Sequence, residues 1–585
     1  MPTLEWIGKN KVINHHQQVP FRVLDRKYSF DAEGPHDADN GSENMIIRGD
    51  NLEALKALLP RYEGRVKCIY IDPPYNTGNE GWVYNDNVND PKIKKWLGEV
   101  VGKEGEDLTR HDKWLCMMYP RLKLLQRLLA EDGVIFISID DTELQNLRLI
   151  CSEIFSSNCF VSNVSWQRTY STRNDSKGIV NEVEHILVYS KQPGWSPNKL
   201  PRTEAMNSIY KNPDNDSRPW ASDNPYAADA ATHQGMVYAV QHPFTGKLLY
   251  PSSRAHWRYK QEDMLEILRG WCGYELKDLH DEHERAVICG VPESEVRPGV
   301  MGIVLSEPLE ISSIKAKQVM ERGQWPRLYF TKGGKGGIRR KTYLENVGGR
   351  LPTNLWPYSE VGHTDEAKKQ LLAIFDGRAT FDTPKPSRLI ERILQIGGEE
   401  ETLILDSFAG SGTTAHAVLD MNKADGGRRK FILVEMMDYA ESITAERVKR
   451  VIRGYSEGKN AVPGTGGSFS FYDLGEALLL PDGNLNESIS IDRIREYVWY
   501  TETQEAMQPI IEPDNSYYLG PSKDTAYYFY YEREAVTTLD YAFLATVKKQ
   551  AGGYTIYANL CTLSDTELKK WNITFKKIPR DIAKL

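Results

Sequence analysis

The sequence predicts an α/β protein built on a doubly wound sheet, interrupted by an inserted domain and followed by a C-terminal α+β module. Two separated regions alternate short apolar strands with amphipathic helices, whereas the stretch between them does not. In both regions polar turns come directly after buried strands, which is where doubly wound proteins bind their ligands. These observations predict the fold class and the place of a functional site.

The first alternating region holds three predicted strands and one predicted helix. The run Val66–Ile71 is almost wholly apolar and stops at two prolines, which cannot continue the ladder of a central strand. Leucines recur on one helical face over residues 119–131, and a second apolar strand follows over 134–139. A third strand, over 186–189, completes the region.

The second alternating region begins with a predicted helix over residues 386–396, which two glycines end. A strand over 402–405, a glycine-rich turn and another helix follow. The next run, 431–434, is fully apolar and ends at Glu435, as expected of a strand buried on both faces. Both regions therefore predict polar loops at the carboxyl ends of their strands.

Composition divides the rest of the chain. Residues between the two regions are rich in Pro, Asn, Trp and Arg without regular alternation, and we interpret them as an inserted domain. Glycines and prolines around 454–467 predict a hinge. The predicted divisions are an N-terminal arm (1–45), a first α/β half (46–191), the insertion (192–355), a second α/β half (356–455), and a hinge with the C-terminal module (456–585).

Charge and cysteine content narrow the functional classes. Lys and Arg number 73 against 81 Asp and Glu, a formal net charge of −8, so any nucleic-acid surface must be local. The 7 cysteines never form a CxxC pair, which argues against zinc sites and disulfide frameworks and favours a reducing cytoplasm. Without a signal-like N-terminus or a run of about 18 apolar residues, we expect a protein that is neither exported nor membrane-spanning.

Four residues after the first buried strand suit chemistry on an exocyclic aromatic amine. The Asp72 carboxylate and the backbone carbonyl of Pro73 can accept hydrogen bonds from such an amine, so that its lone pair localises on nitrogen and attacks an electrophile. Pro74 adds rigidity, and Tyr75 offers a flat face for a base swung out of the stack. The alternative is a strand-ending turn without chemistry.

A glycine-rich turn follows the first strand of the second region. Its glycines allow a ligand to approach the backbone at the N-terminus of the next helix. Glu435, at the tip of the following strand, is placed to hold ribose hydroxyls. The turn therefore predicts a ribose-bearing cofactor, the alternative being a tight turn that binds nothing. Its residues are Asp406, Ser407, Phe408, Ala409, Gly410, Ser411 and Gly412.

Two other nucleotide-binding classes fit this turn less well. It lacks a Gly-Lys-Ser/Thr ending, so the lysine that reaches nucleoside triphosphate phosphates is missing and a kinase or ATPase is disfavoured. It is not GxGxxG either, and a dinucleotide-dependent oxidoreductase would leave the Asp-Pro-Pro-Tyr motif without a role.

Together the two motifs resemble those of the DNA amino-methyltransferases, in which DPPY forms the catalytic loop and FxGxG the S-adenosylmethionine loop. The catalytic motif comes first, which is the order of the beta class of that family. The resemblance implies a circularly permuted, Rossmann-like methyltransferase sheet, with 46–191 as its catalytic half and 356–455 as its cofactor half. It implies Asp72, Pro73, Pro74 and Tyr75 as catalytic residues, and Asp50, Lys385, Asp406, Phe408, Ala409, Gly410, Gly412 and Glu435 as cofactor contacts.

For two of these cofactor contacts the alternatives are structural. Asp50 precedes a predicted helix and suits an N-cap, and Lys385 suits an exposed turn.

Basic clusters in the insertion, residues 332–341 and the group Arg254, Arg258 and Lys260, are predicted to bind DNA phosphates. Their alternative is an ordinary solvated face.

Within the beta class the sequence resembles the modification subunits of Type III restriction systems. The likeness includes the loop Asp-Pro-Pro-Tyr-Asn-Thr-Gly at 72–78 and the Gly-His-Thr stretch at 362–364. It implies S-adenosylmethionine as donor, a flipped adenine N6 in double-stranded DNA as acceptor, no metal, a homodimer, and a helicase-nuclease restriction subunit as partner. Adenine is favoured over cytosine N4 because the loop begins with Asp rather than Ser. A solitary regulatory methyltransferase and a non-catalytic DNA-recognition subunit stay open.

Overall fold

The computed structural model describes residues 3–77, 91–101, 110–170, 179–510 and 514–580. The chain divides into two compact units. The insertion unit is Lys199–Arg350, and the main unit comprises Met1–Asn198 and Leu351–Leu585. The insertion unit lies within the predicted insertion, whose limits at 192 and 355, like the other predicted divisions, stay predictions.

The main unit is built on a large mixed sheet, with 11 strands among the described residues. In chain order the strands are β1 Arg22–Asp31, β2 Pro35–His36, β3 Met45–Arg48, β4 Val66–Ile71, β5 Leu129–Ile139, β6 Phe160–Gln167, β7 Val183–Ser190, β8 Leu355–Trp356, β9 Leu403–Asp406, β10 Lys430–Glu435 and β11 Ser468–Ala477. Across the sheet their order is β8-β6-β7-β5-β4-β9-β10-β3-β11-β1-β2.

The helices of the main unit fall into two groups, one on each face of the sheet. Up to residue 453 the helices of the main unit are α1 Lys9–Val12, α2 His15–Gln18, α3 Asn51–Tyr62, α4 Pro91–Val100, α5 Arg110–Leu128, α6 Leu144–Phe155, α7 Tyr358–Val361, α8 Thr364–Ile374, α9 Ser387–Gly397, α10 Thr413–Asp425 and α11 Glu446–Arg453. One group contains α3, α5 and α6, and the other contains α9, α10 and α11.

The centre of the sheet is parallel, because β5, β4, β9, β10 and β3 run in one direction. Alternate residues of a strand face opposite sides, and both sides are covered here. Ile69 belongs to the core formed with α3 and α5, whereas Cys68 lies against the end of α9. A Cβ at Gly397 would lie 2.8 Å from the ring of Phe136, so the close approach of α9 requires glycine. The predicted α/β class is confirmed.

The structure departs from the predicted elements around α5 and β5. The helix predicted over 119–131 begins at Arg110 in the structure. The sequence analysis missed its first turns because Trp114–Leu122 is buried all round and shows no amphipathic period. The strand predicted over 134–139 begins at Leu129. Leu129 pairs with Val66 and Val134 with Cys68, and the register shifts between them, so the strand continues through residues typical of a turn.

Segments near both ends of the chain complete the main sheet. β11 pairs in parallel with β3 and antiparallel with β1, which takes residues of the predicted arm and of the predicted C-terminal module into one sheet. The chain then forms helix Ile491–Thr503 and a four-stranded sheet. The strands of that sheet are Tyr518–Ser522, Thr525–Phe529, Gly553–Ala558 and Ile573–Lys577, with helices Tyr541–Leu544 and Asp565–Lys570 and the short strand pair Thr538–Leu539 and Leu560–Cys561 beside them in sequence.

The insertion unit has a core of its own, which includes Trp220, Trp257 and Trp271. In the described part of the chain, no helix is both long enough and apolar enough to cross a membrane. The strands of the insertion unit are Trp220–Asp223, Tyr226–Ala228, Val240–Gln241, Leu248–Leu249, Ala255–Trp257, Tyr274–Lys277, Gly302–Leu305, Leu328–Phe330 and Ile338–Tyr343, and its α-helices are Glu204–Asn207, Gln261–Leu268, Glu282–Cys289, Leu309–Arg322 and Thr331–Gly334.

Candidate active site

The two predicted motifs lie side by side at one edge of the main sheet. β4 and β9 are parallel neighbours, with Cys68 opposite Ile404 and Ile69 opposite Leu405. The loop after β4 begins at Asp72, and the glycine-rich turn follows Asp406 at the end of β9. Parallel strands carry their carboxyl ends to the same edge, so residues far apart in sequence form one candidate site.

The loop after β4 is buried and rigid. Asp72 and Tyr75 are only 6% and 4% exposed, and the prolines between them are buried as well. The indole Nε1 of Trp114 donates a hydrogen bond to the carbonyl of Pro74 at 2.6 Å. This bond fixes the loop against α5 and leaves the Pro73 carbonyl as the predicted acceptor for an amine.

A lysine predicted as a cofactor contact lies on the predicted catalytic carboxylate. Lys385 Nζ is 2.8 Å and 2.7 Å from the two Asp72 oxygens and 2.9 Å from the Tyr75 hydroxyl. The Tyr75 hydroxyl donates to Asp72 at 2.8 Å and is 3.2 Å from Glu184 Oε2. Lys385 is 8% exposed, so the alternative of an exposed turn lysine is wrong.

Charge and burial set the protonation of this cluster. Burial, and then the Asp72 carboxylate, raises the pKa of Tyr75 well above its ordinary value, so the hydroxyl keeps its proton. Burial alone would lower the pKa of Lys385, but the Asp72 and Glu184 carboxylates outweigh it and raise that pKa. The lysine is therefore a cation between two carboxylates.

A third buried carboxylate, Glu143, holds the end of the loop after Tyr75. Asn76 has a left-handed backbone, with φ of 61°, and its amide donates to Glu143. Glu143 also lies 2.7 Å from His111 Nδ1 and accepts from Asn146 Nδ2 at 2.7 Å. These contacts fix the exit of the loop, and Gly78, the last residue of the motif at 72–78, lies outside the described residues.

The glycine-rich turn is closed around Asp406. Asp406 Oδ1 accepts from the Phe408 amide at 3.0 Å, and Oδ2 accepts from the Thr414 hydroxyl at 2.5 Å. Burial raises the pKa of Asp406 to about 7, although these two hydrogen bonds oppose the rise. Gly410 and Gly412 both have left-handed backbones, with φ of 51° and 79°. Gly412 is the N-cap of α10, so the turn presents backbone amides at a helix N-terminus.

The end of β10 is tied to this turn. Glu435 Oε2 accepts from the Gly410 amide at 2.8 Å, and Oε1 accepts from the Met437 amide at 2.9 Å. Glu435 is 1% exposed, and its contact with a ribose stays a prediction. Ser407 Oγ is buried and has no hydrogen-bond partner among the described residues, as expected beside a polar ligand.

A buried arginine supports the turn from below. Arg447 NH1 donates to Ser411 Oγ at 2.9 Å and to Thr413 Oγ1 at 2.8 Å, and NH2 lies 3.1 Å from His416 Nδ1. Burial lowers the pKa of Arg447 to about 10. Its contacts connect α11 to the start of α10 and hold the shape of the turn.

Asp50 performs the structural role proposed as its alternative. Its side chain accepts from the Leu52 and Glu53 amides and caps α3. The buried Arg121 lies 3.2 Å from Asp50 and contacts Asn51, whose amide donates to the Ser407 carbonyl at 3.2 Å. Asp50 thus belongs to a network that reaches the glycine-rich turn, and its contact with a cofactor stays a prediction.

One of the basic clusters in the insertion unit is partly a core feature. Lys341 is fully buried and lies 2.5 Å from Asp214 and 2.8 Å from Asp216, so its assignment to a DNA-binding patch is wrong. Arg340 pairs with Asp223. Lys332 and Lys335 are exposed, as are Arg254, Arg258 and Lys260.

Four site residues were not predicted from the sequence: Trp114, Glu143, Glu184 and Arg447. Glu184 carried a signal, because it is an acid within the apolar strand β7, and such an acid is buried only with a partner. Glu143 and Arg447 follow no motif that the sequence analysis used. Their contacts depend on tertiary packing alone.

A family model described as DNA methylase, of the N6/N4 methyltransferases, matches residues 66–446. The chain belongs to this DNA methylase family. The match spans both motifs and the insertion between them, so the resemblance predicted from those motifs is confirmed.

This DNA methylase is also similar to curated proteins. It is 33% identical over 445 residues to the Type III restriction-modification enzyme StyLTI Mod subunit of Salmonella typhimurium, over 74% of this chain and 57% of the relative. It is 28% identical to the EcoP15I Mod subunit of Escherichia coli, over 74% of this chain and 64% of the relative. The chain thus spans less than two thirds of these relatives.

The chain is also similar to a Type II methyltransferase and to a solved methyltransferase structure. The Type II methyltransferase M.KpnI of Klebsiella pneumoniae is 29% identical over 68% of this DNA methylase and 81% of its own length. Among solved structures, the cytosine-N4-specific PvuII DNA methyltransferase matches with a TM-score of 0.32 and 13% identity, covering 69% of this chain and 86% of that one.

Proposed function

We propose that this DNA methylase transfers a methyl group from S-adenosylmethionine to the N6 amine of adenine in double-stranded DNA. One observation carries the proposal: β4 and β9 are parallel neighbours, so the Asp72 loop and the glycine-rich turn meet at one edge of the sheet. Transfer of a methyl group between two bound molecules requires their sites to be adjacent. Membership of the family supports the reaction class.

The residues of the turn fit S-adenosylmethionine. Gly410 and Gly412 have left-handed backbones at the start of α10, and Glu435, whose carboxylate accepts from the Gly410 amide, is assigned to the ribose hydroxyls. Ser407 Oγ has no hydrogen-bond partner in the described part of the chain. When bound, the cofactor supplies an electrophilic methyl group on a sulfonium. The residues assigned to hold it are Asp50, Lys385, Asp406, Phe408, Ala409, Gly410, Gly412 and Glu435, of which Lys385 contacts Asp72 in the structure.

The Asp72 loop supplies the groups that act on the amine. Asp72 and the Pro73 carbonyl accept hydrogen bonds from its two N–H groups and localise the lone pair on nitrogen. Pro74 keeps that carbonyl rigid, and Tyr75 contributes the face on which a base flipped out of the duplex stacks. The buried setting excludes water from the transfer. Adenine N6 is proposed over cytosine N4 because the loop begins with Asp.

We further propose that the protein is the modification subunit of a Type III restriction-modification system. The likeness to the StyLTI and EcoP15I Mod subunits supports this assignment. The insertion unit would read the target sequence, with its exposed lysines and arginines on phosphates. A homodimer, a restriction subunit as partner and a cytoplasmic location complete the proposal. The 7 cysteines, all unpaired, are consistent with that compartment.

Transfer of labelled methyl from S-adenosylmethionine to unmethylated genomic DNA tests the function. Digestion to nucleosides and mass spectrometry identify the product, which we expect to be N6-methyladenine. N4-methylcytosine would keep the reaction class and correct the base. An absence of label in DNA, while the cofactor binds, would refute autonomous methylation and favour a recognition subunit. Co-purification with a large helicase-nuclease subunit would support a Type III subunit, whereas purification without such a partner would support a solitary enzyme.

A further inference from the structure

Lys385 lies between two carboxylates from different parts of the sheet. Its Nζ is within 2.8 Å of both oxygens of Asp72 and 3.7 Å from Glu184 Oε2. The Tyr75 hydroxyl contacts all three groups. Asp72, Glu184 and Lys385 are each less than a tenth exposed, so water screens their charges poorly. The proposed chemistry uses Asp72 and assigns nothing to Glu184.

Methylation of an amine changes the charge at Asp72. The methylated nitrogen carries a positive charge until one of its two N–H protons leaves, with the bonding pair staying on nitrogen. The Asp72 oxygen proposed to accept a hydrogen bond from this amine is placed to take that proton, and it then becomes a neutral carboxylic acid. Lys385 then loses the carboxylate that it contacts most closely. A buried cation without a counterion is costly.

We propose that Glu184 is a positioning residue that serves as the second counterion of Lys385, so that Asp72 can become neutral during the reaction. This inference rests on the proposed function. Before proton transfer the lysine is shared between two carboxylates, and afterwards it pairs with Glu184 alone. The raised pKa of Lys385 agrees with this sharing, because the Asp72 and Glu184 carboxylates together outweigh the effect of burial.

The other charged groups near the cluster do not replace Glu184. Arg168 is a cation and cannot pair with Lys385: its NH1 contacts Glu184 Oε1 at 2.9 Å, its charge lowers the pKa of Lys385, and its side chain is 44% exposed and therefore solvated. The Asp406 carboxyl also interacts electrostatically with Lys385, but its pKa of about 7 leaves it partly protonated near neutrality. Apart from Asp72 itself, Glu184 is the carboxylate that contacts both Lys385 and Tyr75 in the described part of the chain.

Unfolding of the full chain tests the pairing without any need for activity. Asp72→Asn is a neutral isostere of the protonated acid. We expect Glu184→Gln to lower the unfolding temperature several times more in the D72N background than in the wild type, because Lys385 then has no carboxylate. Lys385→Met should abolish that difference. If D72N/E184Q does not fold, the K385M triple variant should restore folding. Equal effects of E184Q in both backgrounds, or no rescue by K385M, would overturn the inference.

Methyl transfer under single-turnover conditions tests the role in catalysis. E184Q should slow transfer on the order of tenfold or more with unchanged affinity for S-adenosylmethionine, and Glu184→Asp should recover part of the rate. Glu182→Gln is the matched control, because Glu182 lies two residues earlier, contacts Gln167, and has no contact with Lys385 among those described. An E184Q rate equal to the wild type would overturn the inference. A wild type that methylates no DNA would overturn the proposed function instead, while the unfolding comparison still decides the pairing.

Discussion

Gly412 offers a direct test of the cofactor-binding turn. Its φ of 79° lies in the left-handed region, and a Cβ there would lie 3.0 Å from the Thr444 carbonyl oxygen. Gly426, at the other end of the same helix α10, has a φ of 74° but no atom within 4 Å of its Cβ position. Alanine at the two positions therefore shares the backbone strain and differs in the contact.

The expected losses of stability and affinity follow from the backbone strain and from the contact with Thr444. An L-residue in the left-handed region costs about 1–2 kcal/mol. Gly426→Ala should lose about that much stability and bind S-adenosylmethionine as the wild type does, because it lies far from the turn in sequence. Gly412→Ala meets the same strain plus the contact with Thr444. If the turn relaxes to relieve the strain, binding must restore its shape, which weakens affinity by about 5- to 30-fold.

Calorimetric titration of S-adenosylmethionine into both variants is the assay, with thermal unfolding to measure stability. The reasoning requires that G412A loses affinity and G426A does not. Wild-type affinity in G412A would show that the cofactor does not bind at this turn. Equal loss in both variants would show that affinity follows general stability.

Three more predictions follow from the site and the insertion unit. Asp72→Asn should abolish methyl transfer and change cofactor affinity less than about twofold, as measured by transfer and calorimetry, because it keeps the shape of the loop. The pKa of Asp406 rises from 3.8 to about 7, so the folded protein keeps a proton that the unfolded chain has lost; the stability of the wild type relative to Asp406→Asn should fall between about pH 4 and 7 and then level off in pH-dependent unfolding. Lys341→Met should destabilise the insertion unit by about 3–5 kcal/mol in unfolding measurements, whereas the exposed Lys335→Ala should lower only the salt dependence of DNA binding.

The strands and loops of the site could be predicted because their signals are local. Val66–Ile71 is apolar and stops at prolines, and the structure has that strand at those bounds. The glycine-rich turn was likewise found from its glycines and from Glu435. The beginnings of α5 and β5 were not, because the helix is buried on all sides and the strand runs through a shifted register. Hydrophobic periodicity identifies a helix that has one buried and one exposed face, and it gives no signal for a helix that is buried on all sides.

The partners of the site residues could not be predicted, because they come from elements distant in sequence. Lys385 precedes α9 and contacts Asp72 across the junction of β4 and β9. A lysine in a turn usually lies in solvent, and only the tertiary fold brings a carboxylate to it. The same holds for Lys341, which has the sequence context of a solvated basic cluster and is buried between two aspartates.

The order of the motifs along the chain explains how a large insertion leaves the site intact. The Asp72 loop and the glycine-rich turn need only that β4 and β9 be neighbours, and this pairing is independent of the length of chain between them. The insertion unit closes on itself, because Leu200 and Arg350 near its two ends exchange backbone hydrogen bonds of 2.8 and 2.9 Å. An insertion whose ends meet costs the sheet little, since the cost of closing a loop grows slowly with its length. The residues that would read DNA can therefore vary without moving those that would act on the flipped base.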